Sequence, residues 1–432
     1  MKIILTGFMG AGKSTVGPVV AEKLGLDFIE TDQLVLKRSG CSSIREIFET
    51  KGEGVFRAIE SEVCKELGDF KNVCIATGGG VVEREENILH LKSGGALNIL
   101  LAVEFGEVTE RLKNSDDRPL FSDPDRAEEL FQKRLKQYQS CADFEVDTSG
   151  RSIADVIDLI ISPFKQGIRK FAVIGSPVEH SLSPRMHVAG YKALSVEDYF
   201  VFEKKQVEPD RLTGFVEGLK QGQYQGVSVT IPHKEKVVPY LNELDPEAEA
   251  IGTVNTVTVS GGRLTGYNTD VEGILSPLRG KTVIENSMAL VLGAGGAART
   301  AVFALKKYGA DVTVSNRTRE KAESLARQFD CKSVEMDDLD FSVFDIILNM
   351  TSVGLDLTCD HSLVPAGAIR PGQVIFDAVY RPGSTRLIRE AQQAGAKTID
   401  GLEMLLAQGV RQFEIYTGFK APVAAMKKAL EV

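Results

Sequence analysis

Short apolar runs alternate with stretches of helical period through the first third of the chain. Lys2–Leu5, Asp27–Glu30, Val73–Ala76, Leu97–Leu101 and Phe144–Val146 read as strands, with helices at Thr15–Leu24, Ser43–Lys51 and Arg57–Leu67. That alternation predicts α/β wiring around a mostly parallel sheet. Ser162-Pro163-Phe164-Lys165-Gln166-Gly167 interrupts the pattern, and Phe171–Ile174 starts a new strand. The first domain is therefore placed at 1–161 and a short linker at 162–169. Further on, Ala289–Leu292 and Asp311–Val314 read as strands around a helix at Arg299–Tyr308. The chain closes on helices at Glu403–Tyr416 and Pro422–Leu430, the second opened by a proline that fits a first turn.

A length of 432 residues suits two or three domains. The formal net charge of -9, with Lys and Arg scattered along the chain, argues against a nucleic-acid footprint, so any anionic ligand has to be met locally. The six cysteines form no C-x-x-C pair and have no histidine at metal-site spacing; they read as reduced thiols in a cytoplasm. The first strand begins at Lys2, which leaves no room for a signal peptide, and no apolar run approaches the ~20 residues needed to span a bilayer.

Chemistry first becomes visible at Gly7-Phe8-Met9-Gly10-Ala11-Gly12-Lys13-Ser14, between a strand and a helix. The pattern G-x-x-x-x-G-K-S/T curls the backbone until several N–H groups converge on a phosphate, a path that side chains would obstruct. Gly10, Ala11, Gly12, Lys13, Ser14 and Thr15 would bind the nucleotide, with Lys13 on the β/γ-phosphates and Ser14 on Mg²⁺. Pro18, inside the following helix, is expected to kink it. A GTPase would carry an N-K-x-D base reader, and the chain has none. Glu30 and Asp32 end the second strand where α/β ligands sit. Phe56-Arg57-Ala58-Ile59-Glu60 follows, then Thr77-Gly78-Gly79-Gly80, a glycine run that implies close approach of a ligand to the backbone.

In this order the motifs resemble shikimate kinase, of the adenylate-kinase-like P-loop group, over nearly all of residues 1–161. The resemblance implies that Asp32, Arg57, Gly78, Gly79 and Arg134 bind shikimate. It also implies that Asp32 orients or deprotonates the acceptor hydroxyl, and that Arg118, in Asp117-Arg118-Pro119-Leu120 of a lid, stabilises the transferring phosphoryl group. Arg111 and Arg151 are candidates for the adenine side. One position departs from the family's D-x-D: the first carboxylate is Glu30, which would reach Mg²⁺ through water.

In the second half, Gly293-Ala294-Gly295-Gly296-Ala297 joins a strand to a helix, the context a dinucleotide fingerprint needs. An NAD site would end the next strand with an acidic residue for the ribose 2′-OH. The chain has Asn316-Arg317-Thr318-Arg319 there, which predicts NADP, with Arg317 and then Arg319 as candidates for its 2′-phosphate. Upstream lie Ser181-Leu182-Ser183-Pro184, Val229-Thr230-Ile231-Pro232-His233-Lys234, Gly252-Thr253-Val254-Asn255-Thr256 and Gly266-Tyr267-Asn268-Thr269-Asp270. With Asp377-Ala378-Val379-Tyr380-Arg381-Pro382 and Gly401–Gln408, these are similar to shikimate dehydrogenase over about 170–432. The resemblance implies a substrate lobe at 170–270, completed by 401–432, and a Rossmann NADP lobe at 271–400. It implies substrate contacts from Ser181, Ser183, Thr230, Asn255 and Gln408, and a catalytic pair Lys234 and Asp270. Tyr380 and, more loosely, Met404 would line the pocket. Ser228 stands where the family often has Asn. His180, His187 and His233 read as making local backbone bonds.

The two halves imply consecutive reactions: NADP(H)-dependent reduction of 3-dehydroshikimate, then phosphorylation of shikimate by ATP with Mg²⁺. Two alternatives stand beside this reading: one half acts on quinate or another small hydroxy metabolite, or one half is a silent nucleotide-binding regulator. Small molecules are the only partners expected; oligomeric state and direct transfer of shikimate between sites stay open.

Overall fold

The apolar runs of the first third become β1 (Lys2–Thr6), β2 (Asp27–Glu30), β3 (Val73–Ala76), β4 (Leu97–Ala102) and β5 (Phe144–Asp147). The computed structural model describes residues 1–113 and 124–431. The five strands form one sheet in the order β2-β3-β1-β4-β5, parallel throughout. Parallel strands with helices on both faces need apolar side chains on both sides, and β1 and β3 are buried at every residue. The strand order turns in opposite directions on either side of β1. That opens a crevice at the carboxyl ends of the strands, where the P-loop, Glu30 and Thr77–Gly80 all lie.

The first helix runs Lys13–Leu24 and passes unbroken through Pro18. Pro18 has no N–H to give the Ser14 carbonyl, yet the helix continues past it to Leu24. The helix expected from Arg57 starts four residues earlier, at Glu53, after Gly52 turns the chain at φ 83°. A polar helix at Thr31–Ser39, carrying Asp32 in its first turn, had no apolar signature to announce it.

The chain divides into two compact units. The first holds Met1–Arg169 together with two segments from much later, Val188–Val201 and Thr417–Pro422. These segments meet the amino ends of the strands, the sheet edge opposite the P-loop. Lys2 N donates to Ser195 Oγ at 3.2 Å. Ala96 N donates to Ala193 O at 3.1 Å, and Lys420 N to Asp143 O at 2.7 Å. Phe419 packs against Phe144 and Phe164 at ring distances of 5.5 and 6.0 Å. At Gly95, whose φ is 92°, a side chain would run into the Lys192 carbonyl.

The second unit holds Lys170–His187, Phe202–Tyr416 and Val423–Val432. One sheet comprises β6 (Arg169–Gly175), β7 (Phe200–Gln206), β8 (Gly226–Val229), β9 (Glu243–Leu244), β10 (Thr256–Ser260) and β11 (Arg263–Tyr267). Its order is β7-β6-β8-β10-β11-β9, and β10 runs antiparallel to both its neighbours. The other comprises β12 (Met288–Leu292), β13 (Asp311–Ser315), β14 (Lys332–Ser333), β15 (Ile346–Asn349), β16 (Val374–Asp377) and β17 (Lys397–Ile399). Its order, β14-β13-β12-β15-β16-β17, is parallel throughout, the doubly wound arrangement whose switch point lies beside β12.

Candidate active sites

In the first unit the P-loop adopts the curl its glycines permit: Gly7, Gly10 and Gly12 have φ of 145°, 78° and 95°. The helix behind it has Gly12 as its N-cap and no side-chain cap, so its first N–H groups face outward for an anion. Lys13 is buried and folds back on its own loop, donating to Gly7 O at 2.7 Å and Phe8 O at 3.0 Å. A cavity of about 470 Å³ is lined by Gly10–Thr15, Glu30, Asp32, Gly79, Arg111 and Arg151. Phosphate donors, two carboxylates and two arginines thus share one space, a donor set that fits a nucleotide with its magnesium ion. Arg111 also props the loop, donating to Gly10 O at 3.1 Å.

Arg57 and Arg134 lie in an ion-pair network. Arg57 Nη1 donates to Glu60 Oε2 at 2.9 Å and Nη2 to Glu83 Oε2 at 2.5 Å. Arg134 donates to Glu83 Oε1 from Nε at 2.9 Å and Nη2 at 2.6 Å. Burial works against the Arg57 charge, yet Glu60, Glu83 and Glu53 outweigh it and hold its pKa above the ordinary value. Burial pushes the Glu60 carboxyl up, against the pull of Arg57. The glycine run serves the chain's own side chains: a Cβ at Gly78 would strike the Asp32 carboxylate, and one at Gly80 the Arg57 guanidinium. Tyr138 ties the run down by donating to Gly79 O. Arg118 lies outside the described residues. Glu83 was missed, while Glu60 stood in the Phe56–Glu60 motif, three positions after Arg57 on one helix, without a role assigned to it.

In the second unit Gly293 follows β12 at φ 116°, where a Cβ would press on the Met350 carbonyl and Thr351 at 3.1 Å. Ala294 leads on to Gly295, the N-cap of a helix at Gly296–Lys307 that includes Ala297 and has no side-chain cap. These open N–H groups fit a pyrophosphate. After β13, Asn316 Nδ2 donates to Thr318 O at 2.9 Å and shapes the turn. Arg319 is engaged by Glu323 and Glu335, whereas exposed Arg317 makes no ion pair among the described residues.

Lys234 Nζ donates to Asp270 Oδ2 at 2.5 Å, and Asn255 Nδ2 donates to Asp270 Oδ1 at 2.9 Å. Asp270 is 5% exposed and sits in the first turn of the helix Asp270–Arg279, where the helix dipole favours its charge. Thr269 N donates to Asn255 Oδ1 at 2.8 Å, which fixes the amide. Ser181 and Ser183 meet through a 3.3 Å bond from Ser183 N to Ser181 Oγ. Thr230 leans over Gly175, where a Cβ would collide with its methyl. Gln408 is buried and donates to Leu405 O at 2.8 Å. Burial pushes the Tyr380 hydroxyl pKa up. Met404 packs against the core of the parallel sheet.

Beneath Asn255 lies a layer the sequence reading missed. Gln412 Nε2 donates to Thr256 Oγ1 at 2.9 Å and Asn255 O at 3.3 Å. Its Oε1 accepts from Ser228 Oγ at 2.8 Å, so the serine at the departing position joins this layer. The available signal was its spacing of four from Gln408, on the same helix face. His233 does bond to backbone, Nε2 lying 2.6 Å from Val207 O. His187 differs from expectation: its ring stacks on Phe202 at 4.2 Å and 8°. Burial pushes its pKa down to about 3, with the nearby Gln412 side chain acting in the opposite direction.

Comparison with known proteins divides the chain along its sequence, with Val188–Val201 and Thr417–Pro422 of the first compact unit falling inside the dehydrogenase matches. The family model for shikimate kinase matches residues 9–165. The shikimate dehydrogenase substrate binding domain matches 173–257, shikimate / quinate 5-dehydrogenase 279–403, and the shikimate 5'-dehydrogenase C-terminal domain 401–431. A shikimate dehydrogenase (NADP(+)) of Nitrosopumilus maritimus is 41% identical, the match covering 61% of this chain and 98% of that protein. One of Natronomonas pharaonis is 44% identical over 60% and 97%. A crystal structure of shikimate 5-dehydrogenase from Thermus thermophilus in complex with NADP(H) and shikimate has 38% identity and a TM-score of 0.57, covering 61% of this chain and 98% of that one. Through its C-terminal three-fifths the chain belongs to the shikimate dehydrogenase family, and a shikimate kinase domain precedes it.

Proposed function

We propose that this chain makes shikimate and then phosphorylates it, by the residues assembled above. The observation that carries the reading is the bonded set Lys234, Asp270 and Asn255 on the same chain as a complete phosphate loop. Bound NADPH supplies the hydride for the first step and bound Mg-ATP the phosphoryl group for the second.

In the reductive site, Ser181 and Ser183 hold the carboxylate of 3-dehydroshikimate, while Thr230, Asn255 and Gln408 hold its hydroxyls. Hydride addition to the ketone carbon leaves an alkoxide. Lys234 Nζ donates the proton that quenches it and recovers one from water, which reaches its 22% exposed side chain. Asp270 fixes the lysine side chain through their 2.5 Å bond. Tyr380 lines the pocket. In the kinase site, Arg57 and Arg134 orient the shikimate carboxylate, with Gly78 and Gly79 allowing its close approach. Asp32 orients or deprotonates the accepting hydroxyl, and Lys13 gathers charge on the transferring group. Arg118 is assigned to that same charge, Ser14 to Mg²⁺, and Glu30 to its hydration shell.

A cytoplasmic setting suits the six free cysteines. Among the described residues no helix is long and apolar enough to cross a membrane.

The direct test supplies purified protein with 3-dehydroshikimate, NADPH and Mg-ATP, and follows NADPH loss and ADP release with single omissions. ADP release should require NADPH when 3-dehydroshikimate is the only acceptor precursor, and shikimate should restore it without NADPH. NADPH consumption with no ADP from shikimate would overturn the kinase assignment.

Coenzyme choice has its own test. Arg317→Ala is expected to raise the KM for NADPH about tenfold or more, the loss of one charge-assisted bond to the 2′-phosphate, and to leave the KM for NADH unchanged. The ratio of the two KM values, measured with saturating 3-dehydroshikimate, is the readout. Equal changes in both would move the 2′-phosphate elsewhere.

A further inference from the structure

Glu83 closes a short turn, Val81–Glu83, directly after the glycine run. Its two carboxylate oxygens are divided between the two arginines: Oε1 takes Arg134 at 2.6 and 2.9 Å, and Oε2 takes Arg57 at 2.5 Å. One carboxylate bridging two guanidinium groups is the arrangement that two arginines would make with a bound acid. The arginines are nearly enclosed, with side chains 10% and 6% exposed, whereas Glu83 is 22% exposed and stands on the solvent side.

We propose that Glu83 is an internal stand-in for the substrate carboxylate, occupying the position between Arg57 and Arg134 and moving aside when shikimate binds. The proposal rests on the reading that those arginines bind the acceptor's carboxylate. Charge explains why the residue must leave. Arg57 already faces Glu60, 1% exposed, and Glu53 at 3.4 Å. A substrate anion added on top of Glu83 would place a further like charge in a partly desolvated pocket. Exchanging one carboxylate for the other keeps the charge constant. Between turnovers Glu83 holds the arginines in their binding posture, and its competition lowers affinity for the acceptor.

The test measures ADP release against shikimate concentration in the full chain at saturating Mg-ATP. Glu83→Gln keeps the size of the side chain and removes its charge; it should lower the KM for shikimate about tenfold, the worth of roughly one charged contact. The same variant should leave turnover of the neutral analogue, in which the carboxylate is reduced to a primary alcohol, no better than in wild type. Glu83→Asp keeps the charge but shortens the reach; it should move the KM in the same direction by a smaller factor, and it serves if the glutamine variant folds poorly. An unchanged or higher KM for shikimate in both variants would overturn the proposal and leave Glu83 as a fixed brace. A wild-type enzyme that turns over shikimate, with an Arg134→Ala variant of raised KM, separates that outcome from failure of the kinase reading.

Discussion

Replacing Lys13 with Met is expected to lower shikimate-dependent ADP release about 10³-fold and to leave NADPH oxidation by 3-dehydroshikimate unchanged. The stem keeps its length, so the change removes a charge and its donors. In the free enzyme Nζ is held by Gly7 O and Phe8 O within the loop. It thus rests on two carbonyls of the loop whose N–H groups would wrap a phosphate chain. Charge on the transferring group grows toward the transition state, so the loss should fall on kcat more than on KM. ADP release with shikimate supplied directly, beside NADPH consumption in a separate cuvette, gives both numbers. Loss of the two activities together would show that the sites do not work independently.

The reciprocal change, Lys234→Ala, is expected to reduce the reductase kcat by about 10² to 10⁴-fold, the usual worth of a positioned proton donor, while ADP release from shikimate persists. Lys234 is the group 2.5 Å from Asp270, itself braced by Asn255 at 2.9 Å. Removing the lysine leaves a buried carboxylate with the Asn255 amide and a helix amino end for company. Some loss of stability in the second unit should follow, so a melting curve belongs beside the kinetics. A folded variant that still reduces 3-dehydroshikimate at the wild-type rate would dismiss Lys234 as the donor.

The parallel strands were legible because burial on both faces writes itself as a continuous apolar run, as in Ile3-Ile4-Leu5. The phosphate loop and the dinucleotide turn were legible because each depends on glycines fixed by a local turn, whereas the Lys234–Asp270 pair, 36 positions apart, was implied only by the family resemblance. The helix Thr31–Ser39 escaped because its residues are mostly polar. The bridge made by Glu83 escaped for a different reason: it exists only where the helices Glu53–Leu67 and Pro124–Cys141 converge on the turn after β3. No spacing in the sequence encodes that convergence. Gly78 and Gly80 were recognised as sites of close approach, yet what approaches them in the structure is Asp32 and Arg57.

The first unit borrows Val188–Val201 and Thr417–Pro422 from beyond the linker. A gene truncated after codon 169 would therefore encode a sheet whose amino edge lacks its neighbours, with Phe144 and Phe164 stripped of the Phe419 ring that packs on them. Fission of this fused gene at its apparent seam would release a kinase without those neighbours, because part of what seats its sheet is written in the other half of the reading frame.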